Sequence, residues 1–228
     1  MQIIGLSGGI ASGKSTAANY LRQKGLPVID ADELAREELQ PGRSSHRQVC
    51  QVFPEARLSD GSIDRTKLAN IIFSSPSARR KLETIIHPQV QRAMTQSIVW
   101  YWLQGYDRVV LDIPLLFETG LYRWMSYSIV ICASTTTQLR RMQMRDAMPA
   151  DQANARIAAQ MPMAIKCARA DVVIDNEGEM DDLYRNLDTV LASRRPNCLY
   201  HRLFLHMLPL GMTMSLLITI TLWVIKVM

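Results

Sequence analysis

The chain has 228 residues and a formal net charge of +5, a length that suits one domain with a sizeable core. The basic residues are scattered, so we expect small anionic ligands and no nucleic-acid partner. The cysteines show no C-x-x-C or metal-ligand spacing, which predicts ordinary thiols in a reducing compartment. They are Cys50, Cys132, Cys167 and Cys198.

The first predicted element is a strand, Ile3–Leu6, that leads through a glycine-rich loop into a helix. The loop Gly8–Ser15 (GGIASGKS) matches G-x-x-x-x-G-K-[S/T] at every fixed position. Its backbone N–H groups surround a phosphate, Lys14 supplies a positive charge, and Ser15 supplies an oxygen to Mg²⁺. A chance lysine in a glycine-rich turn is the alternative, but the strand–loop–helix context favours a triphosphate site. The predicted nucleotide-binding residues of this loop are Gly8, Gly9, Ile10, Ala11, Ser12, Gly13, Lys14, Ser15 and Thr16.

The second predicted strand, Leu26–Asp30, ends in Asp30-Ala-Asp32, and a helical pattern follows through Leu39. Carboxylates beyond the carboxyl end of a strand lie where open α/β sheets bind ligands. Asp32 is therefore a candidate functional carboxylate, and the alternative is that it caps the following helix. For Asp30 we expect a structural role or an outer contact with Mg²⁺.

A long helical region, residues 44–104, comes before the third strand. Its predicted segments include Leu68–Phe73, Ala78–His87 and Pro88–Leu103, with apolar residues at helical spacing. A connection of this length indicates an inserted substrate-binding lobe rather than a simple crossover.

Three further strands are predicted at Arg108–Pro114, Ser126–Ala133 and Val172–Asp175. The first is a continuous apolar run, which is typical of a strand covered on both faces. Residues 136–170 are polar, arginine-rich and helical, and the family resemblance described below implies that they form a lid. Strands that alternate with helices indicate a three-layer α/β fold with a five-stranded parallel sheet.

The C-terminal region is strongly apolar, since His206 is the only ionisable side chain in residues 203–225. About 20 apolar residues span a bilayer as a helix, and Trp223 fits an interfacial position. We therefore expect a transmembrane tail anchor. The alternative is a buried terminal helix of the domain, because Pro209 and Gly211 weaken the pattern of a span.

Such an anchor would hold a domain of residues 1–195 on the cytosolic side of a membrane. Tail anchors enter the mitochondrial outer membrane and the endoplasmic reticulum alike, and the sequence does not choose between them. The first strand begins almost at Met1, so we expect no cleaved N-terminal targeting peptide.

The combination of motifs favours a small-molecule kinase among the P-loop proteins. The chain has no Asn-Lys-x-Asp motif for guanine and no Asp-Glu pair closing a strand. Arg141 and Arg145 are four residues apart, so both project from one helix face and suit bidentate phosphate contacts; solvated surface arginines are the alternative. Arg156 and Gln160 form a second pair of this spacing and are weaker lid candidates.

Several collinear motifs resemble those of the dephospho-CoA kinases, and together they cover residues 1 to about 190. They are residues 5–16 (GLSGGIASGKST), 28–32 (VIDAD) with Ala35-Arg36, His87-Pro88, 113–118 (IPLLFE), 137–146 (TQLRRMQMRD) and 170–176 (ADVVIDN). The resemblance implies transfer of the ATP γ-phosphate, with Mg²⁺, to the ribose 3′-hydroxyl of dephospho-CoA.

The resemblance also implies roles for particular residues. Asp32 would accept or orient the 3′-hydroxyl proton, Lys14 would contact the phosphates, and Arg141 and Arg145 would act from the lid. Asn176 would touch the adenine edges. On the acceptor side the implied residues are His87, Arg92, Leu115, Leu116 and Glu118.

Some positions are open to another interpretation. His87 equally fits a buried histidine at a helix end. Asp112 ends the third core strand like a Walker-B acid and is a candidate for holding Mg²⁺ through water. Ser7 stands where this family usually has Thr or Ser, and Ala11 replaces the usual Gly of the loop; neither removes a phosphate-facing N–H.

Two other functions remain as alternatives at this point. One is a P-loop kinase for a nucleotide, nucleoside or shikimate-type acceptor. The other is a non-catalytic ATP-binding membrane scaffold, which would not need to keep Lys14, Ser15, Asp32, Arg141 and Arg145 together. The oligomeric state is not predicted.

Overall fold

The computed structural model describes residues 1–146 and 148–195, and its centre is a parallel sheet. The sheet has five strands in the order β2-β3-β1-β4-β5, and every neighbouring pair is parallel. This confirms the predicted parallel α/β fold. The strands are β1 (Gln2–Gly8), β2 (Val28–Asp30), β3 (Arg108–Asp112), β4 (Tyr127–Cys132) and β5 (Val172–Asp175).

Helices cover both faces of the sheet, because side chains of the central strands alternate between two buried clusters. Val110 of β3 packs with α1 and α9, whereas its neighbours Val109 and Leu111 face α5. The described helices are α1 (Lys14–Gln23), α2 (Ala31–Glu38), α3 (Ser44–Val52), α4 (Arg65–Ser74), α5 (Pro76–Leu103), α6 (Thr135–Asp146), α7 (Ala150–Ala158), α8 (Met163–Arg169) and α9 (Met180–Ser193).

One helix, α5, differs from the sequence prediction, which ended one segment at His87 and began another at Pro88. The structure has a single helix of 28 residues that continues through Pro88. Proline removes one hydrogen bond of the helix. The apolar stripe nevertheless continues at helical spacing on both sides of it, so burial against the core outweighs the lost bond. The buried residues of this stripe are Leu82, Ile86, Val90 and Met94.

The parallel topology brings the loops that follow all five strands to one edge of the sheet. These loops include Gly8–Ser15, the start of α2, the segment after β3 and the segment after β5. The predicted lid region, residues 136–170, contains α6, α7 and α8.

The last described helix, α9, ends at the opposite edge of the sheet. Arg108, at the start of β3, donates to the carbonyl oxygens of Leu191 and Arg194 at 2.9 and 3.0 Å. The Arg194 guanidinium lies 5.0 Å from the ring centroid of Tyr127 at the start of β4. The predicted membrane segment, residues 203–225, lies outside the described residues. Within 1–146 and 148–195, no helix combines the length and apolar character needed to cross a membrane.

Candidate active site

The loop Gly8–Ser15 has the geometry of a phosphate-binding loop. Gly13 adopts a φ of 100°, in the left-handed region that favours glycine. A Cβ at this position would lie 2.2 Å from Nδ2 of Asn176, which donates to the carbonyl oxygen of Ser12 at 2.7 Å. The loop can therefore approach the segment after β5 only because residue 13 has no side chain.

A cavity of about 700 Å³ opens over this loop. Ser12 is an exception among the predicted loop residues, because its side chain is fully buried and does not line the cavity. Its carbonyl oxygen accepts hydrogen bonds from Asn176 and Arg141, so in this structure Ser12 supports the loop and does not reach the cavity. The predicted nucleotide-binding residues that do line the cavity are Gly8, Gly9, Ile10, Ala11, Gly13, Lys14, Ser15, Thr16 and Asn176.

Lys14 lines the phosphate cavity and forms an ion pair with a buried carboxylate. Its Nζ lies 2.6 Å from Oδ1 of Asp112, whose side chain is 3% exposed. Burial raises the pKa of Asp112, while the charge and hydrogen bond of Lys14 act in the opposite direction. The buried Asp112 thus has a partly exposed lysine partner that the sequence pattern did not indicate.

The acidic sequence after β2 separates into one structural and one cavity-facing carboxylate. Asp30 Oδ1 accepts hydrogen bonds from the backbone N–H groups of Asp32 and Glu33, at 2.9 and 3.1 Å, and so caps α2. The alternative of Asp32 as the helix cap is therefore wrong. Asp32 is exposed and lines the phosphate cavity.

Both predicted lid arginines line the phosphate cavity from α6, as their spacing predicted. Arg141 donates to the carbonyl oxygens of Asn176 at 2.8 Å and Ser12 at 3.4 Å, so its guanidinium is held against the loop. Arg145 is 64% exposed at its side chain and pairs with the neighbouring Asp146 at 2.8 Å. Arg141 is therefore preorganised, whereas Arg145 must exchange its partner to reach a phosphate.

The amino end of α6 is fixed by a carboxylate that the sequence analysis did not single out. Glu177, after β5, accepts hydrogen bonds from the backbone N–H of Ser134 and from Oγ1 of Thr137. These bonds, the backbone bond foremost, hold the pKa of Glu177 below its ordinary value. The side-chain NH₂ of Asn176 donates one of its two hydrogens to the carbonyl oxygen of Ser12, which leaves its second N–H and its carboxamide oxygen for the implied adenine contact.

The residues implied for the acceptor side do not form one group. Leu115 is 43% exposed, but Leu116 is fully buried under the sheet and has no surface for a substrate. Glu118 pairs with Lys166 at 2.9 Å. The expectation that Leu116 contacts substrate is therefore corrected to a packing role, because its side chain fills space beside Gly5.

The two implied acceptor residues on α5 lie away from the phosphate cavity. His87 is exposed in the middle of α5, so the alternative of a buried histidine at a helix end is wrong. Arg92 lines a separate polar groove of about 410 Å³ beside α2 and α3. Neither residue lines the phosphate cavity.

Two residues of the predicted lid region have contacts that their sequence pattern did not indicate. Oε1 of Gln160 accepts a hydrogen bond from the backbone N–H of Ile10 at 3.0 Å. Lys166 is fully buried, and its pairing with Glu118 ties α8 to the segment after β3. The i, i+4 spacing suggested Gln160 weakly, and no sequence signal distinguished Lys166 from a surface lysine.

A phosphate loop, a lysine, two arginines and a carboxylate around one cavity on a parallel sheet define a P-loop phosphotransferase. Comparisons with known proteins identify the family. The sequence model of the dephospho-CoA kinase family (CoaE) matches residues 2–182. The chain therefore belongs to the dephospho-CoA kinases, which transfer the ATP γ-phosphate to the ribose 3′-hydroxyl of dephospho-CoA, the last step of coenzyme A synthesis.

Individual relatives agree with this family. A dephospho-CoA kinase of Shouchella clausii is 45% identical over 190 residues, which are 83% of this chain and 96% of that protein. A dephospho-CoA kinase domain-containing protein of Danio rerio is 43% identical over 201 residues, or 87% of each chain. The structure of dephospho-CoA kinase from Campylobacter jejuni has a TM-score of 0.64 and 25% identity, covering 83% of this chain and 95% of that one.

Proposed function

We propose that the cavity over Gly8–Ser15 is the site of phosphoryl transfer and that Asp32 is its base. The observation that carries this assignment is the position of Asp32, which lines the same cavity as Lys14 and Arg141. Its carboxylate has no hydrogen bond or ion pair with another side chain among the described residues. A free carboxylate beside the phosphates is able to accept or orient the proton of the attacking 3′-hydroxyl.

Three cationic side chains together neutralise the charge of the phosphates. Lys14 contacts the β- and γ-phosphates either by breaking its ion pair with Asp112 or while keeping it. Arg141 faces the phosphates from α6 and keeps its hydrogen bonds to backbone carbonyl oxygens. Arg145 joins them when it releases Asp146. Because transfer is mainly positioning and neutralisation of charge, this set suffices for the chain's own part of the reaction.

The residues present also fit Mg²⁺ bound together with ATP. The described residues contain no cluster of three or more His, Cys, Asp or Glu side chains that would hold a metal alone. Mg²⁺ in phosphate sites needs only one or two protein oxygens, and Ser15 is exposed toward the cavity beside Lys14. When bound, Mg²⁺ neutralises phosphate charge. We propose Ser15 as its hydroxyl ligand.

The role of Asp32 is tested with Asp32→Asn, which keeps the shape and removes the proton acceptor. We expect kcat to fall roughly 100-fold or more, with little change in KM for ATP or in the unfolding midpoint. Asp181→Asn, on the exposed first turn of α9, is the matched control and should retain full activity. Activity of Asp32→Asn within a few-fold of the unchanged protein would refute the assignment.

We also propose that residues 203–225 anchor the enzyme to the mitochondrial outer membrane or the endoplasmic reticulum with the kinase domain in the cytosol. The apolar sequence of this segment supports the proposal. Because α9 ends at the edge of the sheet opposite the phosphate cavity, the cavity would face away from the anchored edge.

The anchor is tested by fusing residues 196–228 to a soluble reporter and extracting membranes with carbonate. We expect the fusion to stay in the membrane fraction, and fractionation then identifies the membrane. A fusion with three leucines of the segment changed to Lys should be released. Release of the unchanged fusion would contradict the proposal.

A further inference from the structure

Gln160 connects the lid to the phosphate loop. It lies two residues beyond the end of α7, and its Oε1 accepts a hydrogen bond from the backbone N–H of Ile10 at 3.0 Å. A side chain on Gly9 would meet the same region, since its Cβ would lie 2.6 Å from Cε of Met163. The lid therefore packs directly on the first half of the loop.

This hydrogen bond fixes the orientation of the Gln160 carboxamide. An N–H donor must meet the oxygen, so the NH₂ group occupies the other position. That NH₂ group has no partner among the described residues, and Gln160 lines the phosphate cavity together with Lys14 and Arg141. Two uncharged N–H donors are thus available at the surface of a site for anions.

The position of Gln160 is secured from its C-terminal side. Helix α8 begins three residues later, and its fully buried Lys166 pairs with Glu118 at 2.9 Å. A fully buried ammonium held by a carboxylate resists displacement, because the ammonium left alone would be poorly solvated. Gln160 therefore lies between α7 and α8, and α8 is held in place by the pairing of Lys166 with Glu118.

We propose that Gln160 is a further catalytic residue of the kinase reaction, one that contacts ATP directly. Its oxygen stays on Ile10, and its NH₂ group donates to the γ-phosphate of ATP. The backbone N–H groups at the start of α1 suit the α- and β-phosphates, so the lid side of the cavity faces the terminal phosphate. The inference deepens the proposed phosphoryl-transfer site and rests on it.

Two substitutions separate the roles of the oxygen and the NH₂ group. Gln160→Glu keeps an acceptor for Ile10 but turns a carboxylate oxygen toward the phosphates. Gln160→Leu removes both groups without adding charge. We expect kcat/KM for ATP to fall roughly 10-fold in Gln160→Leu and roughly 100-fold in Gln160→Glu, since the latter adds repulsion to a lost hydrogen bond. Gln152→Glu, on the exposed face of α7, controls for the added charge and should stay within about twofold.

Binding measurements identify the phosphate that is contacted. We expect Gln160→Glu to weaken binding of a non-hydrolysable ATP analogue at least tenfold more than binding of ADP, in the full chain with an unchanged unfolding midpoint. If Leu lowers the midpoint, Gln160→Met replaces it.

A structural role alone would make Gln160→Glu nearly as active as the unchanged enzyme and Gln160→Leu the weaker variant. The proposal would be overturned if Gln160→Leu were less active than Gln160→Glu, or if both variants were fully active. It would also be overturned if Gln160→Glu weakened binding of ADP and of the ATP analogue equally. Inactivity of the unchanged enzyme and of Gln152→Glu would instead show failure of the underlying kinase assignment.

Discussion

At the residue scale, the phosphate loop depends on a glycine that touches another segment. Gly13 has a φ of 100°, and its missing side chain leaves space for the Asn176 carboxamide. Gly25 has a similar φ of 82°, yet a Cβ there would meet nothing within 4 Å. Substituting alanine at Gly25 therefore measures the free-energy cost of the left-handed backbone alone. The same substitution at Gly13 adds the cost of the close contact with Asn176.

We predict that Gly25→Ala costs about 1–2 kcal/mol of unfolding free energy, the penalty for a left-handed backbone at a residue with Cβ. Gly13→Ala should cost more, because the added carbon also displaces Asn176, and it should abolish measurable ATP binding. Denaturant unfolding and calorimetric titration with ATP measure both effects. Equal stability losses and intact ATP binding in Gly13→Ala would contradict this account of the loop.

At the scale of the element, the beginning of α2 combines a cap with a reactive position. Asp30 accepts two backbone hydrogen bonds, and Asp32 lies two residues further on at the cavity. Asp30→Ala should therefore lower the unfolding free energy by about 1 kcal/mol while the kinase remains active at reduced rate. Denaturant melts and steady-state assays test this division. Loss of all activity without loss of stability in Asp30→Ala would mean that Asp30 takes part in the chemistry.

The elements show where sequence reasoning succeeds and where it does not. The strand–loop–helix at Gly8–Ser15 and the pair Arg141 and Arg145 were predictable, because motif and helical spacing place them locally. Pro88 was misleading, since local propensity favours a break whereas the buried stripe of α5 continues across it. In α5, the free energy gained by packing this stripe against the core outweighs the local preference for a break at Pro88.

Contacts between segments that are distant in the chain could not be predicted from the sequence. The pairing of Lys14 with Asp112 joins residues 98 positions apart, and that of Gln160 with Ile10 joins residues 150 positions apart. Leu116 belongs to a matched motif, yet it is buried. A motif indicates which segments lie near a site. The direction of each side chain depends on the packing of elements that are distant in the chain.

At the scale of the whole molecule, the buried Asp112 that pairs with Lys14 makes the stability of the fold depend on pH. Burial raises the pKa of Asp112 above its ordinary value of 3.8 despite the opposing effect of Lys14. The folded state then binds this proton more tightly than the unfolded state does. Stability from this group is therefore present below pH 3.8 and is lost as the pH rises through the folded pKa.

We predict that the unfolding midpoint of the unchanged protein, relative to Asp112→Asn, falls as the pH rises above 3.8. Asparagine lacks the titration, so the difference isolates this carboxyl from all others. Thermal melts of both proteins at pH values from 3.8 upward provide the measurement. A relative midpoint that rises with pH would mean that Lys14 dominates over burial.

The most direct test of the central claim is product formation by the purified full chain. Incubation with ATP, Mg²⁺ and dephospho-CoA, followed by mass analysis, should give CoA and ADP in equal amounts. Lys14→Ala should lower the rate more than about 100-fold because a main phosphate contact is lost. Formation of ADP without CoA, or CoA formation unaffected by Lys14→Ala, would contradict phosphoryl transfer at this site.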